Sequence, residues 1–158
     1  MDYRVFSDKV IVRIDRGEEI CEQLKAVCEK EGIVLASVSA IGAVGDFTVG
    51  VFSPESKTYK SNNFKGDYEI VSLTGLVTEM DGKFYSHLHM SAADGEGRVF
   101  GGHLNRAIVS ATCEMIITVS EGRIDRKYSQ DIGLNLLEFY FFIWRHFGQG
   151  RSPRGEIS

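Results

Sequence analysis

Two prolines, three cysteines, no excess of basic charge and no long apolar run are the shortages that first bound this sequence of 158 residues. The cysteines, Cys21, Cys28 and Cys113, are odd in number and lack the spacing of a metal motif, which excludes a disulfide framework and points to free thiols in a reducing compartment. Basic residues number 18 against 22 acidic ones, a net charge of −4. That balance argues against a protein whose main work is gripping phosphates through a broad basic face. The longest apolar stretch, "IGLNLLEFYFFIW" at 132–144, is too short and too interrupted to cross a bilayer. The first ten residues hold no apolar signal segment, so a cytoplasmic location is expected.

What is plentiful is glycine. Seventeen glycines against two prolines imply many tight turns and a β-rich fold, and the length suits one domain with a single core. A first strand is expected over Val5–Ile14. The following segment, "DRGEEICEQLKAVCEKEG", carries helical signals: Asp15 and Glu18 have capping-box spacing, Ile20, Leu24, Val27 and Cys28 share one face, and Gly32 suits a C-terminal cap. A helix is expected from about residue 17 to 31.

The remainder reads as strands. "IVLASVSAIGAVGDFTVGVF" suggests two strands with a turn near Gly42–Asp46, and "SPESKTYKSNNFKG" a polar loop with one short strand at Lys57–Lys60. "DYEIVSLTGLVTEM" and "KFYSHLHMSA" flank Asp81-Gly82, a strong hairpin signal. "IVSATCEMIITVSE" is a further strand region, whereas "LNLLEFYFFIWRHF" is ambiguous between strand and helix. One domain over 1–145 is expected, followed by a flexible tail over 146–158.

Three of the four histidines lie in "SHLHMSAADGEGRVFGGHL", residues 86–104. If Gly95, Glu96 and Gly97 form a three-residue hairpin loop, with Gly97 at positive φ, Asp94 faces Arg98 and His89 faces His103. Side chains alternate along a strand, so His87, His89 and His103 then share one face and Leu88, Met90, Phe100 and Leu104 the other. A two-residue loop would place His103 among the apolar residues, and the pattern favours three. Directly opposed Cβ atoms are about 5 Å apart, close enough for imidazoles to reach one ion. Gly101 is expected to leave open space beside the cluster. Three neutral imidazoles suit zinc, with copper, nickel or iron as alternatives. Alternate histidines also decorate the solvent side of ordinary strands; the third, brought into register by the turn, favours the metal site. His146, in "IWRHF", has no partner in the sequence and is read as structural.

The run "HLHMSAADGEGRVFGGHL", with "YEIVSLTGLV" before it and "CEMIITV" after it, resembles the PPC (PCC) domain, also called DUF296. The resemblance extends from about Val10 to Phe139 and includes "ASVSAIGAV" and "DIGLNLLEF". It implies an α/β fold of the α+β type, a mainly antiparallel β-sheet with a packed N-terminal helix, assembled as a homotrimer. It also implies a metal at His87, His89 and His103. Plant members bind AT-rich DNA through a separate Arg-Gly-Arg-Pro hook that nothing here matches; "RSPRG" at 151–155 shares only its composition. Where plant members read Gly-Arg-Phe-Glu-Ile, this chain has Gly66-Asp67-Tyr68-Glu69-Ile70, an acid in place of the base.

The leading expectation is a trimeric metal-binding protein, with zinc as the cofactor, that binds or senses a small ligand at the open coordination position. A metal-dependent enzyme is the alternative, since a three-histidine zinc site can activate water. It lacks an evident general base: strand parity puts Glu79 opposite Phe84, away from the histidines, and Glu114 would need a neighbouring protomer to approach. A DNA-associated regulator is the third reading, supported only by Arg145, Arg151 and Arg154 near the C-terminus.

Overall fold

The computed structural model describes residues 1–139. The domain boundary expected at 145/146, His146 and the three C-terminal arginines lie outside the described residues. The chain opens with a hairpin, β1 (Asp2–Phe6) and β2 (Lys9–Asp15), in place of the single strand expected over Val5–Ile14. Ser7, at φ 35°, reverses the chain where alternation alone gave no warning. Beyond β2 comes α1 (Ile20–Glu31), three residues shorter at its start than expected. The Glu18 carboxylate does accept the Asp15 N–H at 2.8 Å, but this closes the turn after β2. The helix is capped by Glu19, whose carboxylate accepts the Glu22 N–H at 2.7 Å and the Ala107 N–H at 2.8 Å, tying the first turn to the sheet. Ile20, Leu24, Val27 and Cys28 are buried, the first three at roughly 1.5–3 kcal/mol each relative to exposure. Gly32, left-handed, ends the helix.

The rest is antiparallel sheet: β3 (Ala36–Ser53), β4 (Thr58–Met80), β5 (Lys83–Ala93) and β6 (Val99–Val119). β3 is one continuous strand, not two. Its glycines mark bulges at Ala40/Gly42 and Val44/Asp46, which bend the strand without reversing it. Gly42 also lets β6 approach, since a Cβ there would strike the Thr112–Cys113 backbone. The expected polar loop after β3 shrinks to the turn before Thr58, because Thr58–Lys65 pair with Asp46–Ser53 and extend the ribbon.

The strand order is β1-β2-β6-β3-β4-β5, and β5 pairs again with the start of β6, so β3 to β6 form a closed ring. Phe47, Leu73, Leu88, Met90 and Met115 are buried within the core, which α1 covers on one side. A separate two-stranded sheet, β7 (Asp125–Ser129) and β8 (Leu134–Glu138), assigns strand to the start of the ambiguous "LNLLEFYFFIWRHF" segment. It docks on β4 and β5 through Arg126 and Asn135. No helix among the described residues is long and apolar enough to cross a membrane.

Candidate metal centre

The turn between β5 and β6 is the three-residue loop that the sequence favours. Asp94 N–H donates to the Arg98 carbonyl at 3.0 Å, the Gly97 N–H returns to the Asp94 carbonyl at 2.9 Å, and Gly97 has φ 77°. Only a residue without a Cβ takes that conformation at no steric cost. The Asp94 carboxylate locks the loop further by accepting the N–H groups of Glu96 and Arg98.

Register follows from the loop: Ala93 pairs with Val99, Met90 with Gly102 and His89 with His103. Leu88, Met90 and Leu104 are buried, and Phe100 packs against the core. His87, His89 and His103 project to the opposite side, with ring centroids 5.1–5.7 Å apart. One nitrogen from each lies within 4.8 Å of the other two. Nitrogens sharing one tetrahedral zinc stand roughly 3.3 Å apart, given bonds of about 2.05 Å. Small side-chain rotations would therefore close the set.

The donor chemistry fits a transition metal. Burial, reinforced by the neighbouring positive charges of His103, Arg126 and His89, lowers the basicity of His87. Burial and His89 do the same for His103. Both are therefore neutral at pH 7 with a lone pair available, which is the form that ligates. Among the described residues no hydrogen bond occupies any of the three rings. The cysteines offer no competing site: burial pushes all three thiols up to about 12.

Gly101 does not leave the expected open space. A Cβ there would lie 2.7 Å from the Met90 carbonyl oxygen and 3.0 Å from Ser91 Cα, so the missing side chain admits the β5 backbone instead. The open volume lies outward, in a cleft of about 800 Å³ walled by the β3–β4 ribbon and by β8. Tyr59 reaches across Gly50, donates to Asn105 Oδ1 at 2.7 Å and meets His103 edge-on. Arg126 of β7 enters from the other side, over the Tyr85 ring. Neither carboxylate considered for catalysis is here. Glu79 pairs with Phe84 and is held by Arg123 on the far side of β4, and Glu114 is opposite Arg13 and Ile41. Glu114 lies eleven positions beyond His103 along β6, on the order of 35 Å in a strand.

Residues 1–121 match the Plants and Prokaryotes Conserved (PCC) domain. The chain belongs to the PCC domain family. Its fold is that of three solved relatives. A Bacteroides thetaiotaomicron protein, named a "putative DNA-binding protein", is 35% identical over 87% of this chain and 96% of its own, with a TM-score of 0.85. A metal-containing protein of Archaeoglobus fulgidus is 31% identical over 87% and 97%, with a TM-score of 0.78. The Pyrococcus horikoshii plant- and prokaryote-conserved protein is 34% identical over 88% and 96%, with a TM-score of 0.77. No curated protein matches the chain.

Sequence reasoning missed Arg126, Tyr59 and Tyr85. Tyr85 shares strand parity with His87 and could have been placed on its face. Arg126 and Tyr59 reach the cleft only through pairings that no local pattern encodes.

Proposed function

We propose that this PCC-domain chain binds a divalent transition metal, zinc before copper, nickel or iron, at His87, His89 and His103, and that its working form is a homotrimer. The observation that carries the metal reading is the convergence of three imidazoles, free of internal hydrogen bonds, on the wall of one cleft. An archaeal relative named as metal-containing supports it. Three protein ligands would leave a tetrahedral ion one open position, and because the histidines line the cleft a metal held there would serve as an anchor for a small molecule. Zinc bound in this way would polarise a ligand oxygen. The residues present would orient the ligand and exclude water, with Tyr59 and Arg126 at the two ends.

The trimer reading has a physical motive in the sheet's outer face. Ile11 and Ile116 are directly opposed across β2 and β6, Ile41 stands diagonal to Ile116 on β3, and all three are exposed in the single chain. An apolar patch of this kind is what a second copy covers.

The deciding experiment is metal analysis of the protein purified without a histidine tag. One equivalent of a transition metal per chain supports the reading. Equal metal content in the unaltered protein and in a variant with His87, His89 and His103 all changed to alanine would refute it.

A further inference from the structure

We propose that the cleft takes a short carboxylic acid carrying a second oxygen donor, with the carboxylate held by Arg126 and the other oxygen on the histidine-bound metal. This rests on the metal reading above and names the class of ligand that completes the site.

The argument starts from a charge without a counter-charge. Arg126 is only 6% exposed. Its Nε–H donates to Thr78 Oγ1 at 2.8 Å, its Nη1 to the Asn135 carbonyl at 3.0 Å, and its Cζ lies 4.7 Å from the centroid of the Tyr85 ring. No carboxylate pairs with it among the described residues. Arg13, Arg98, Arg106 and Arg123 all have such partners while standing far more in solvent. A guanidinium stays ionised in proteins, and an unpaired ion is costly to bury. The two hydrogen bonds tie β7–β8 to β4, but a neutral amide could donate both. Together with the Tyr85 ring face they leave the guanidinium without a counter-ion, and three of its five N–H groups without a partner, among the described residues.

Position supplies the rest. Arg126 and all three histidines line the same cleft. Tyr85, beneath the guanidinium, and His87 are two residues apart on one face of β5, a separation of roughly 7 Å. A planar fork that pairs carboxylates bidentately thus stands about one small molecule away from a metal position that prefers oxygen or nitrogen. The same cleft is lined by the apolar side chains of Leu76, Leu134, Leu136, Val51 and Phe52. A ligand with an anionic end, a ligating hydroxyl or carbonyl and a short hydrocarbon body satisfies all three. Inorganic phosphate would satisfy the charge but gain nothing from the walls.

The test is calorimetric titration of the zinc-loaded full chain with 3-hydroxybutyrate, its neutral amide and inorganic phosphate. Saturable binding of the acid is expected, at least tenfold tighter than the amide and tighter than phosphate. Arg126→Gln should remove that tenfold preference with zinc content unchanged, and Arg126→Lys should retain part of it. The acid–amide comparison uses the unaltered protein, so it stands even if the Arg126 variants fail to dock β7. Acid and amide binding equally, neither binding, or phosphate binding most tightly would overturn the proposal while leaving a fully zinc-loaded protein and the metal reading intact. Failure to take up zinc would overturn both, and the metal content reports it separately.

Discussion

His89 and His103 are directly opposed across β5 and β6, and that one pairing sorts the hairpin into a face of imidazoles and a face of core residues. A slip of one residue would exchange the faces. The three-residue loop at Gly95–Gly97 therefore determines whether the three imidazoles converge at all.

Removing one of the pair should separate site from fold. His89 is exposed and carries no core contact, so His89→Ala should cost about 0.5 kcal/mol or less in the metal-free protein. Loss of a ligand should weaken metal affinity by about 100-fold or more, beyond the range seen for outer-shell changes. Metal analysis after dialysis, with a parallel thermal melt, checks both. Unchanged metal content would remove His89 from the site.

The histidines also predict how metal-free stability varies with pH. His87 and His103 have their basicity lowered in the folded protein, chiefly by burial, and then by His103, Arg126 and His89 in the case of His87 and by His89 in the case of His103. The unfolded chain takes up these protons first, near the ordinary value of 6.5, so the folded state loses ground as pH falls. Stability should rise with pH through the window from the lowered folded values up to 6.5, and level off above it. Urea unfolding of metal-free protein across this range should show that rise, and a His87→Gln/His103→Gln variant should flatten it. An identical profile in the variant would mean that other groups set the dependence.

What could be read from the sequence was what is decided locally. Gly97 at positive φ, Asp81-Gly82 joining Met80 to Lys83, and Gly32 ending α1 each follow from the conformational demands of one or two residues. The glycines of β3 misled because a bulge and a turn use the same residue, and only pairing with β4 and β6 tells them apart. The Asp15–Glu18 pair misled in the same way, since its hydrogen bond forms but caps no helix. Arg126 was invisible because "GRIDRKYSQDIG" has no apolar alternation. Its burial comes from Thr78 and Asn135, 48 and 9 residues away.

Gly101 offers a stability test of how closely β5 approaches β6 beside His103. If the space beside His103 were open, Gly101→Ala would be nearly neutral. With the Met90 carbonyl oxygen 2.7 Å from the new Cβ, β5 and β6 must part, at a cost of about 1–3 kcal/mol. Chemical denaturation measures this directly. A change below about 0.5 kcal/mol would contradict the close approach.

The proposed homotrimer predicts a mass. Light scattering should give about three times the 17.6 kDa of one chain, and Ile116→Asp, which sets a charge in the patch with Ile11 and Ile41, should shift it towards the monomer. Ile116 is exposed in the single chain, so the substitution leaves the protomer core untouched. A mass near 17.6 kDa for the unaltered protein would count decisively against assembly.

DNA is the remaining question, because a 35% identical relative carries DNA binding in its name. This chain should bind duplex DNA weakly and without AT preference at physiological salt. Non-specific affinity comes mainly from Lys and Arg neutralising phosphates, and here 22 acids outnumber 18 bases. Several of those bases are already engaged: Arg13 with Asp15, Arg98 with Asp94 and Glu96, Arg106 with Asp46, and Arg123 with Glu79. A trimer would triple the net charge of −4 to about −12 and strengthen long-range repulsion. Reading an AT tract also needs an arginine that can enter the narrow minor groove. Arg126, buried behind Tyr85 and bonded to Thr78, is not placed to do so. Arg145, Arg151 and Arg154 lie outside the described residues, so the titration should be repeated on a chain ending at residue 144. Binding seen only at low salt, and equal for AT-rich and GC-rich duplexes, fits the expectation. Sub-micromolar binding at about 0.15 M salt that favours AT-rich duplex would overturn it, and its loss from the shortened chain would assign the contact to those three arginines.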